Sequence, residues 1–499
     1  MREKLKNNTG ITSMTLVMAI IILLILIGLA MAFLGNDKVE ETTNTAEQEE
    51  NKVIDNFENI IGTNQENELE PSDIYVTLYD GGTLAFSNNS NTIEGKTVLK
   101  NFGNIKDQKY KMDWTAQTVD TPWFSYIGSI ITIDIVNEIV PTDMTGWFAG
   151  FNQLTQINNI QNIKTGNVTN MEALLYNCTK LTNIDLSSFD TKNVTNMNAI
   201  LASDSEQGMA LQDIKGIQNF NTSKVTNLSA MFLNCKNLKG LENVQYDTKN
   251  VTNMSEMFNG CTQMKQINPG LVIGKNVTDV TNIFANSGIT SLPENFKMGN
   301  NVVSAKGMFE NTNIKDIPIE FTLANATKLE DSSYMFSGCT SLESLPSNFT
   351  LPTSVKNCSS MFNLCEKLAI IPNTFNLSTN VEQCNNMFYN CKSLAQIPSN
   401  FTIPNKVTDI SGIFKGCKNL YFDNLIIPTG VTNITEAFSE IEELKGNITI
   451  QASPTEYQMV FKDTNKNAEQ ITIKYTETCT NIQDIISTVQ NEKIEFSEI

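Results

Sequence analysis

A repeated twelve-residue segment decides the fold of this chain, and it is clearest as NVTNMSEMFNGC at residues 250–261. Its phenylalanine, Phe258, belongs to a column that returns about every 26 residues, with leucine at two positions. The column comprises Phe148, Leu175, Leu201, Phe232, Phe258, Phe284, Phe309, Phe336, Phe362, Phe388, Phe414 and Phe438. Self-similarity at a period of 20–29 residues is typical of leucine-rich-repeat solenoids. The sequence therefore predicts an array of about 12 units over residues 147–446.

A second block follows each phenylalanine by about six residues, as in LESLP at 342–346 and LAQIP at 394–398. Its alternating apolar residues suit a short strand. In the first block Val251, Met254 and Phe258 recur at three- and four-residue spacing, which predicts the apolar face of a helical turn. One strand and one helical turn per unit predict an α/β repeat of the leucine-rich-repeat kind, whose core runs along the stack.

These columns together resemble the BspA-like leucine-rich-repeat surface proteins. That family repeats an Asn-Val-Thr-x-Met segment, a Met-Phe pair and a cysteine, followed by a leucine and isoleucine strand. The likeness spans about residues 140–446, and PTDMTGWF at 141–148 resembles the family's entry into its array. The resemblance implies a bacterial cell-surface protein with adhesive or protein-binding roles, and it implies no catalytic residues.

The N-terminal 35 residues combine a basic leader with an apolar run at residues 14–34, which is long enough to cross a bilayer as a helix. Basic residues before the run and acidic residues after it predict that the N-terminus lies in the cytoplasm. We therefore expect a single-pass membrane protein with residues 36–499 outside the cytoplasmic membrane.

Three interpretations of this run are open. The segment GITSMTLV at 10–17 resembles the N-terminus of type IV pilin-like proteins, which implies cleavage between Gly10 and Ile11. Thr15 stands where most pilins carry a glutamate. The run can instead be an uncleaved anchor, or a signal peptide that is cleaved after Ala32.

Three further segments flank the array. Residues 36–73 are strongly acidic and predict a solvated helical stalk or linker. Residues 74–146 carry strand and turn signals, including a hairpin at 74–87, and predict an N-terminal β-rich cap. Residues 447–499 predict a C-terminal cap, since a solenoid needs both ends of its core covered.

Composition limits the classes of function. The chain has a net charge of −19 and a pI of about 4.6, so it lacks the basic stripe that nucleic-acid binding needs. It contains no histidine, which removes the commonest general base and every nucleophile–histidine pair. We expect no enzymatic activity, no cofactor and no metal site. A carbohydrate-active enzyme that uses two carboxylates stays open as a less favoured alternative.

Seven cysteines lie three positions after the phenylalanine column: Cys178, Cys235, Cys261, Cys339, Cys365, Cys391 and Cys417. Cysteines outside the cytoplasm invite a disulfide or metal interpretation. The same position is held in other units by Phe151, Asp204, Ser287, Thr312 and Ile441, which a metal cluster would not tolerate. Because free cysteine behaves as a small apolar residue, the column predicts a structural ladder of buried thiols.

The strand block also predicts a binding face, since its outward residues lie between inward leucines and isoleucines. The candidate residues are Thr182, Asn183, Lys239, Lys265, Gln266, Glu343, Ser344 and Gln396. We expect adhesion or protein–protein interaction through this face, with surface proteins or glycans of a host or of bacteria as partners. The alternative is a structural subunit of a pilin-like fibre or secretion system that displays the array.

Overall fold

The computed structural model describes residues 69–499, except 240, 242, 243 and 490. The chain winds into a β-solenoid of about 15 turns in which each turn lies parallel to the next. One ladder of parallel bridges passes through consecutive turns: Asn170, Asn196, Asn227, Asn253, Asp279, Ser304, Asp331, Asn357, Gln383, Asp409, Asn433 and Glu456. The prediction of a repeat solenoid is confirmed, whereas the predicted number of about 12 units is too low.

The N-terminal part of this body is a five-stranded sheet that leads into the solenoid. Residues predicted as a hairpin form β1 (Tyr75–Tyr79) and β2 (Thr83–Ser87), which pair antiparallel. β3 (Val98–Asn104) pairs with the outer side of β1, and β6 (Thr132–Ile135) lies parallel to β2. The sheet ends at β7 (Gln156–Asn158), which is parallel to β6 and belongs to the first turns of the array.

Two small sheets and one larger sheet complete the strands. Their members are β4 (Met112–Asp113) with β5 (Thr118–Val119), β8 (Asn183–Asp185) with β9 (Asp213–Lys215), and the parallel sheet of β10 (Asn419–Ile427), β11 (Glu443–Ile450), β12 (Ile471–Tyr475) and β13 (Ile494–Glu498). The α-helix α1 (Ile482–Thr488) precedes β13. Short 3-10 turns lie at Asp80–Gly82, Phe124–Ser129, Ile160–Asn162, Thr165–Asn167 and Ile217–Asn219. The main ladder reaches Glu456, so the stacked turns extend into the segment assigned to the C-terminal cap.

The helical turn predicted for the first block is wrong. In the unit of Phe258, Glu256 has a φ of 57° and Gly260 has a φ of 75°, values that an α-helix excludes. The N–H of Cys261 donates to the carbonyl of Phe258 (3.2 Å), which closes a turn with positive φ at its third residue, as a type II turn requires. The N–H of Phe258 donates to the carbonyl of Ile283 in the next turn (2.9 Å). The block therefore alternates local turns with bonds between turns.

The core contains columns of stacked aromatic rings. From Phe232 to Phe461 the phenylalanine column is continuous, and Phe336 and Phe388 lie on either side of Phe362 at ring-centroid distances of 5.7 and 5.6 Å. A second column, which the sequence reasoning missed, packs edge-on against the first: Phe296, Phe321, Phe349, Phe375 and Phe401. Both columns are buried, so the hydrophobic core is one rod along the array.

The tryptophans lie at the N-terminal end of this core. Trp123 and Trp147 are buried, and the Trp123 Nε1–H donates to the carbonyl of Trp147 (2.8 Å). Trp114 is 42% exposed, and its Nε1–H donates to Glu172 (2.9 Å). The two buried indoles therefore cover the first rings of the rod, consistent with the requirement that a solenoid end be capped.

The membrane-spanning run, the acidic stalk up to residue 68 and the Gly10–Ile11 junction lie outside the described residues. Within the described part of the chain, none of the helices has the length and apolar character needed to cross a bilayer.

Candidate interaction surface

The strand block of each turn forms a second ladder, whose outward side we call the strand face. Its members are Thr182, Gln212, Lys239, Lys265, Thr290, Lys315, Glu343, Ala369, Ala395 and Tyr421. The residues that follow some of these also belong to it: Asn183, Asp213, Gln266, Ser291, Asp316, Ser344, Ile370 and Gln396. The N–H of Thr290 donates to the carbonyl of Lys265 (3.1 Å), and the N–H of Lys315 donates to that of Thr290 (3.3 Å). Successive turns thus hold these side chains in one register.

The structure places the eight candidate binding residues along this face. Seven of them are exposed and Ser344 is half-buried. They do not form one compact site, because they are distributed over many turns. The ladder also brings in Gln212, Thr290, Lys315, Ile370 and Tyr421, which the sequence reasoning missed. All of these except Gln212 follow the phenylalanine column by six to eight residues, and that spacing was the signal that could have identified them.

A shallow cleft of about 540 Å³ lies at the N-terminal part of the strand face, between β8 and β9. Its lining comprises Thr182, Asn183, Ile184, Asp185, Gln212, Asp213 and Lys215. Lys215 Nζ lies 3.8 Å from a carboxylate oxygen of Asp185. Hydrogen bonds from Ser187 hold the pKa of the Asp185 carboxyl below its ordinary value. Asp185 and Asp213, the two carboxylates of the cleft, are exposed surface groups.

The middle and C-terminal parts of the strand face differ in character. Lys239, Lys265 and Lys315 are exposed in the middle part. Further along, Ile370 is 63% exposed and Tyr421 is 40% exposed, and Ala369, Ala395 and Gln396 are the other members of the face in this part. The face thus passes from a basic stretch to an uncharged, partly apolar stretch.

The opposite edge of each turn carries the asparagine and threonine of the repeat. The Thr195 hydroxyl donates to the carbonyl of Thr169 (3.1 Å), and Thr226 and Thr252 repeat this bond in the following turns. The Asn193 side-chain amide likewise donates to the carbonyl of Gly166 (2.7 Å). These polar groups satisfy backbone carbonyls of the preceding turn, so the Asn-x-Thr pattern has a structural cause.

The seven column cysteines are buried free thiols. Each thiol donates to a backbone carbonyl of the preceding unit, for example Cys391 to Phe362 at 3.1 Å and Cys261 to Phe232 at 3.2 Å. In two units without cysteine, Thr312 and Thr464 donate to a buried carbonyl of the phenylalanine column. In these nine units the position holds a small side chain that donates a hydrogen bond to a backbone carbonyl.

Burial governs the acidity of these thiols. It raises the pKa of Cys339 to about 11 and those of Cys261 and Cys417 to about 12. A thiol that stays protonated is a poor nucleophile and a poor metal ligand. Among the described residues, no group of three or more histidine, cysteine, aspartate or glutamate side chains is arranged to hold a metal ion.

The parallel bridges, the ring columns and the thiol column together define a parallel β-solenoid built from repeats of about 26 residues. The chain belongs to the family described as "Mycoplasma protein of unknown function, DUF285", whose model matches residues 142–212, 205–320 and 303–426, more than half of the chain. No curated protein matches the chain.

Solved bacterial structures are similar to it. A leucine-rich repeat protein from Bacteroides ovatus has 14% identity and a TM-score of 0.41, with 87% of this chain and 100% of that chain covered. A leucine rich cell surface protein from Faecalibacterium prausnitzii has 15% identity and a TM-score of 0.28, with 79% and 99% covered. A leucine-rich repeat protein from Eubacterium ventriosum has 16% identity and a TM-score of 0.25, with 69% and 93% covered.

Proposed function

We propose that this protein is a bacterial cell-surface repeat protein that binds other macromolecules, and so mediates adhesion or protein–protein interaction, through its strand face. The observation that carries the proposal is the strand ladder, which holds exposed side chains in register over successive turns. Such a surface extends along the array and does not enclose a pocket. Repeat proteins use extended surfaces of this kind for binding. The partners are proteins or glycans on a host or bacterial surface.

A binding assay with matched variants tests this proposal. The full chain is displayed on a non-adherent bacterium, and attachment is counted on surfaces coated with host-cell proteins or with a panel of glycans. In one variant the exposed amides Asn183, Gln266 and Gln396 are each replaced by arginine. The control replaces three exposed asparagines away from the strand face whose side chains form no hydrogen bond in the described structure: Asn300, Asn325 and Asn405.

We expect the strand-face variant to lose at least tenfold in attachment, while the control attaches like the unmodified chain. The charge added is the same in both variants, so a difference between them reports on the face and not on net charge. Equal attachment by both variants, or an equal loss in both, would contradict a role for the strand face.

The apolar run at residues 14–34 supports the cell-surface part of the proposal, in which this run anchors the chain with its N-terminus inside and the array outside. The pilin-like likeness of residues 10–17 favours a second candidate, a subunit of a pilin-like fibre. N-terminal sequencing of sheared surface filaments distinguishes the two. Finding the chain there with Ile11 as its first residue supports the fibre, whereas an intact N-terminus in the membrane fraction supports a lone anchored protein.

We also propose that the protein is not an enzyme. The absence of histidine and the exposure of both carboxylates in the cleft of β8 and β9 support this. Incubation of the full chain with a panel of polysaccharides tests it. Release of reducing ends that is lost in the variant D185N/D213N would overturn the proposal.

A further inference from the structure

The lysines in the middle of the strand face are not neutralised by the protein. Within the described part of the chain, Lys239, Lys265 and Lys315 form no ion pair, and the Lys265 ammonium contacts only the carbonyl of Thr262 (3.3 Å). Several other lysines of the array are paired with carboxylates, as Lys356 is with Glu330 at 2.9 Å. In a chain with a net charge of −19, these three lysines leave a local positive stretch.

The ladder fixes the spacing of these lysines. Lys265, Thr290 and Lys315 are joined by successive backbone hydrogen bonds, and Lys239 has the same offset in the turn that precedes Lys265. That preceding turn is in contact, since the N–H of Gln263 donates to the carbonyl of Lys236 (3.2 Å). At about 4.8 Å per parallel strand, the lysines extend along the array over about 14 Å.

The apolar stretch continues the same ladder. The N–H of Ala369 donates to the carbonyl of Glu343 (2.9 Å), and that of Tyr421 donates to Ala395 (3.0 Å). Ile370 and Tyr421 are exposed there, and the small side chain of Ala395 lies in the turn between them. From Lys239 to Tyr421 the ladder makes seven steps, about 34 Å in total.

We propose that the strand face from Lys239 to Tyr421 binds an extended polypeptide segment of about ten residues, whose acidic end lies on the lysines and whose apolar end lies on Ile370 and Tyr421. This inference rests on the proposed function and names the chemistry of its partner. Charge complementarity selects an anionic partner for the basic stretch. The length of the bound segment follows from the distance of about 34 Å, because an extended chain spans about 3.3–3.6 Å per residue.

Two carboxylates decide between a polypeptide and an anionic glycan or nucleic acid. Asp316 directly follows Lys315, and Glu343 lies between the lysines and the apolar stretch. A polymer with a negative charge on every unit would meet these carboxylates and would gain nothing from Ile370 or Tyr421. A polypeptide can place carboxylates on the lysines alone and apolar side chains beyond Glu343.

Selection from a random library of twelve-residue peptides against the full chain tests the proposal. We expect enriched peptides to carry aspartate or glutamate at one end and aliphatic or aromatic residues at the other. Enrichment of basic peptides, or no enrichment over an uncoated surface, would overturn it. The best peptide, a shuffled peptide of the same composition and the anionic glycan polygalacturonate are then titrated side by side.

Three variants assign the binding to this surface. The variants K239E/K265E/K315E and I370S/Y421S should each weaken binding of the selected peptide at least tenfold. Only K239E/K265E/K315E should also remove the salt dependence of binding. The matched control is K275E/K297E/K328E, three exposed lysines away from the strand face that form no ion pair in the described structure, and it should bind within twofold of the unmodified chain. All substituted residues are exposed, and circular dichroism checks that each variant is folded.

The outcomes separate this inference from the proposed function. Binding of polygalacturonate as tight as the peptide, with no effect of I370S/Y421S, would favour an anionic glycan and would overturn the choice of a polypeptide. Attachment that depends on Asn183, Gln266 and Gln396 but not on the lysines would overturn this inference and leave the proposed function standing. Attachment that depends on neither set contradicts both.

Discussion

Replacing Phe362 by alanine removes one ring from the middle of the core rod. Phe362 is fully buried and contacts four other rings. Phe336 and Phe388 stack on its two sides at 5.7 and 5.6 Å, while Phe375 and Phe349 pack edge-on at 5.9 and 6.3 Å. The substitution therefore loses the transfer free energy of the ring and leaves a cavity between two turns.

We expect the substitution to lower the free energy of unfolding by about 3–5 kcal/mol, the usual range when a buried phenylalanine is replaced by alanine. Close neighbours above and below cannot collapse far, because the backbone bonds between turns hold their spacing. The matched control is Phe362→Leu, since Leu175 and Leu201 occupy the same column in two natural units and are buried there. Leucine keeps most of the apolar volume, and we expect it to cost about 1.5 kcal/mol or less.

Urea unfolding of the full chain, followed by circular dichroism, measures both variants. Because long repeat arrays can lose two-state behaviour, the slope against urea is compared as well as the midpoint. A lower slope for F362A would show that the array unfolds in two parts on either side of the vacancy. A cost below about 1 kcal/mol for F362A, or an equal cost for leucine and alanine, would refute the idea that the stacked ring stabilises neighbouring turns.

The remaining predictions concern the thiol column and the left-handed positions of the turns. In urea unfolding, Cys391→Ala should lower the free energy of unfolding by about 1 kcal/mol or less. Cys391→Asp should cost several times more, because a buried unpaired charge is heavily penalised. If alkylation of the unfolded chain shifts its mass only after reduction, the cysteines are disulfides and the prediction is wrong. Burial raises the pKa of the thiols in the folded state above their unfolded value of about 8.5, so the folded state binds more protons than the unfolded state above that pH. The contribution of the thiols to the free energy of unfolding should therefore be fully present below about pH 8.5 and should fall as the pH rises towards 11. A melting temperature that stays constant between pH 8 and 11 would contradict this. Gly260→Ala should lower the free energy of unfolding by about 1–2 kcal/mol or more, because Gly260 has a φ of 75° and a Cβ there would overlap Asn234 Oδ1. In a double-mutant cycle, G260A/N234A should cost less than the sum of the two single substitutions. Strictly additive costs would argue against the overlap.

The periodic apolar columns were readable from the sequence because each turn buries the same positions. The Phe258 column and the Cys261 column are both in the core, and the strand-face residues such as Gln266 are exposed. The backbone of the first block was not readable in this way. Valine, methionine and phenylalanine at three- and four-residue spacing also satisfy a pair of linked turns, so the apolar period alone did not exclude a helix.

The residues that distinguish these alternatives are the ones with positive φ. Glycine or asparagine at Asn234, Gly260 and Asn286 marks the left-handed position of one turn, and a helix would disfavour such residues. The second ring column was missed although its members recur after proline, as in PSNF at 346–349. The strand-face lysines could be placed only by counting from the phenylalanine column, because a single lysine carries no positional signal of its own.

The uniform cross-section of the array has an evolutionary consequence. Each turn is bonded only to its two neighbours, through the same backbone atoms and the same stacked rings. A gene that duplicates or deletes the codons of one unit therefore rejoins surfaces that still match, and unequal recombination within the gene can change the length of the protein without a new core. Gain or loss of a unit between Lys239 and Tyr421 would change the distance between these two residues by one strand spacing of about 4.8 Å. Natural alleles with different numbers of units would then differ in the length of partner that the strand face can bind.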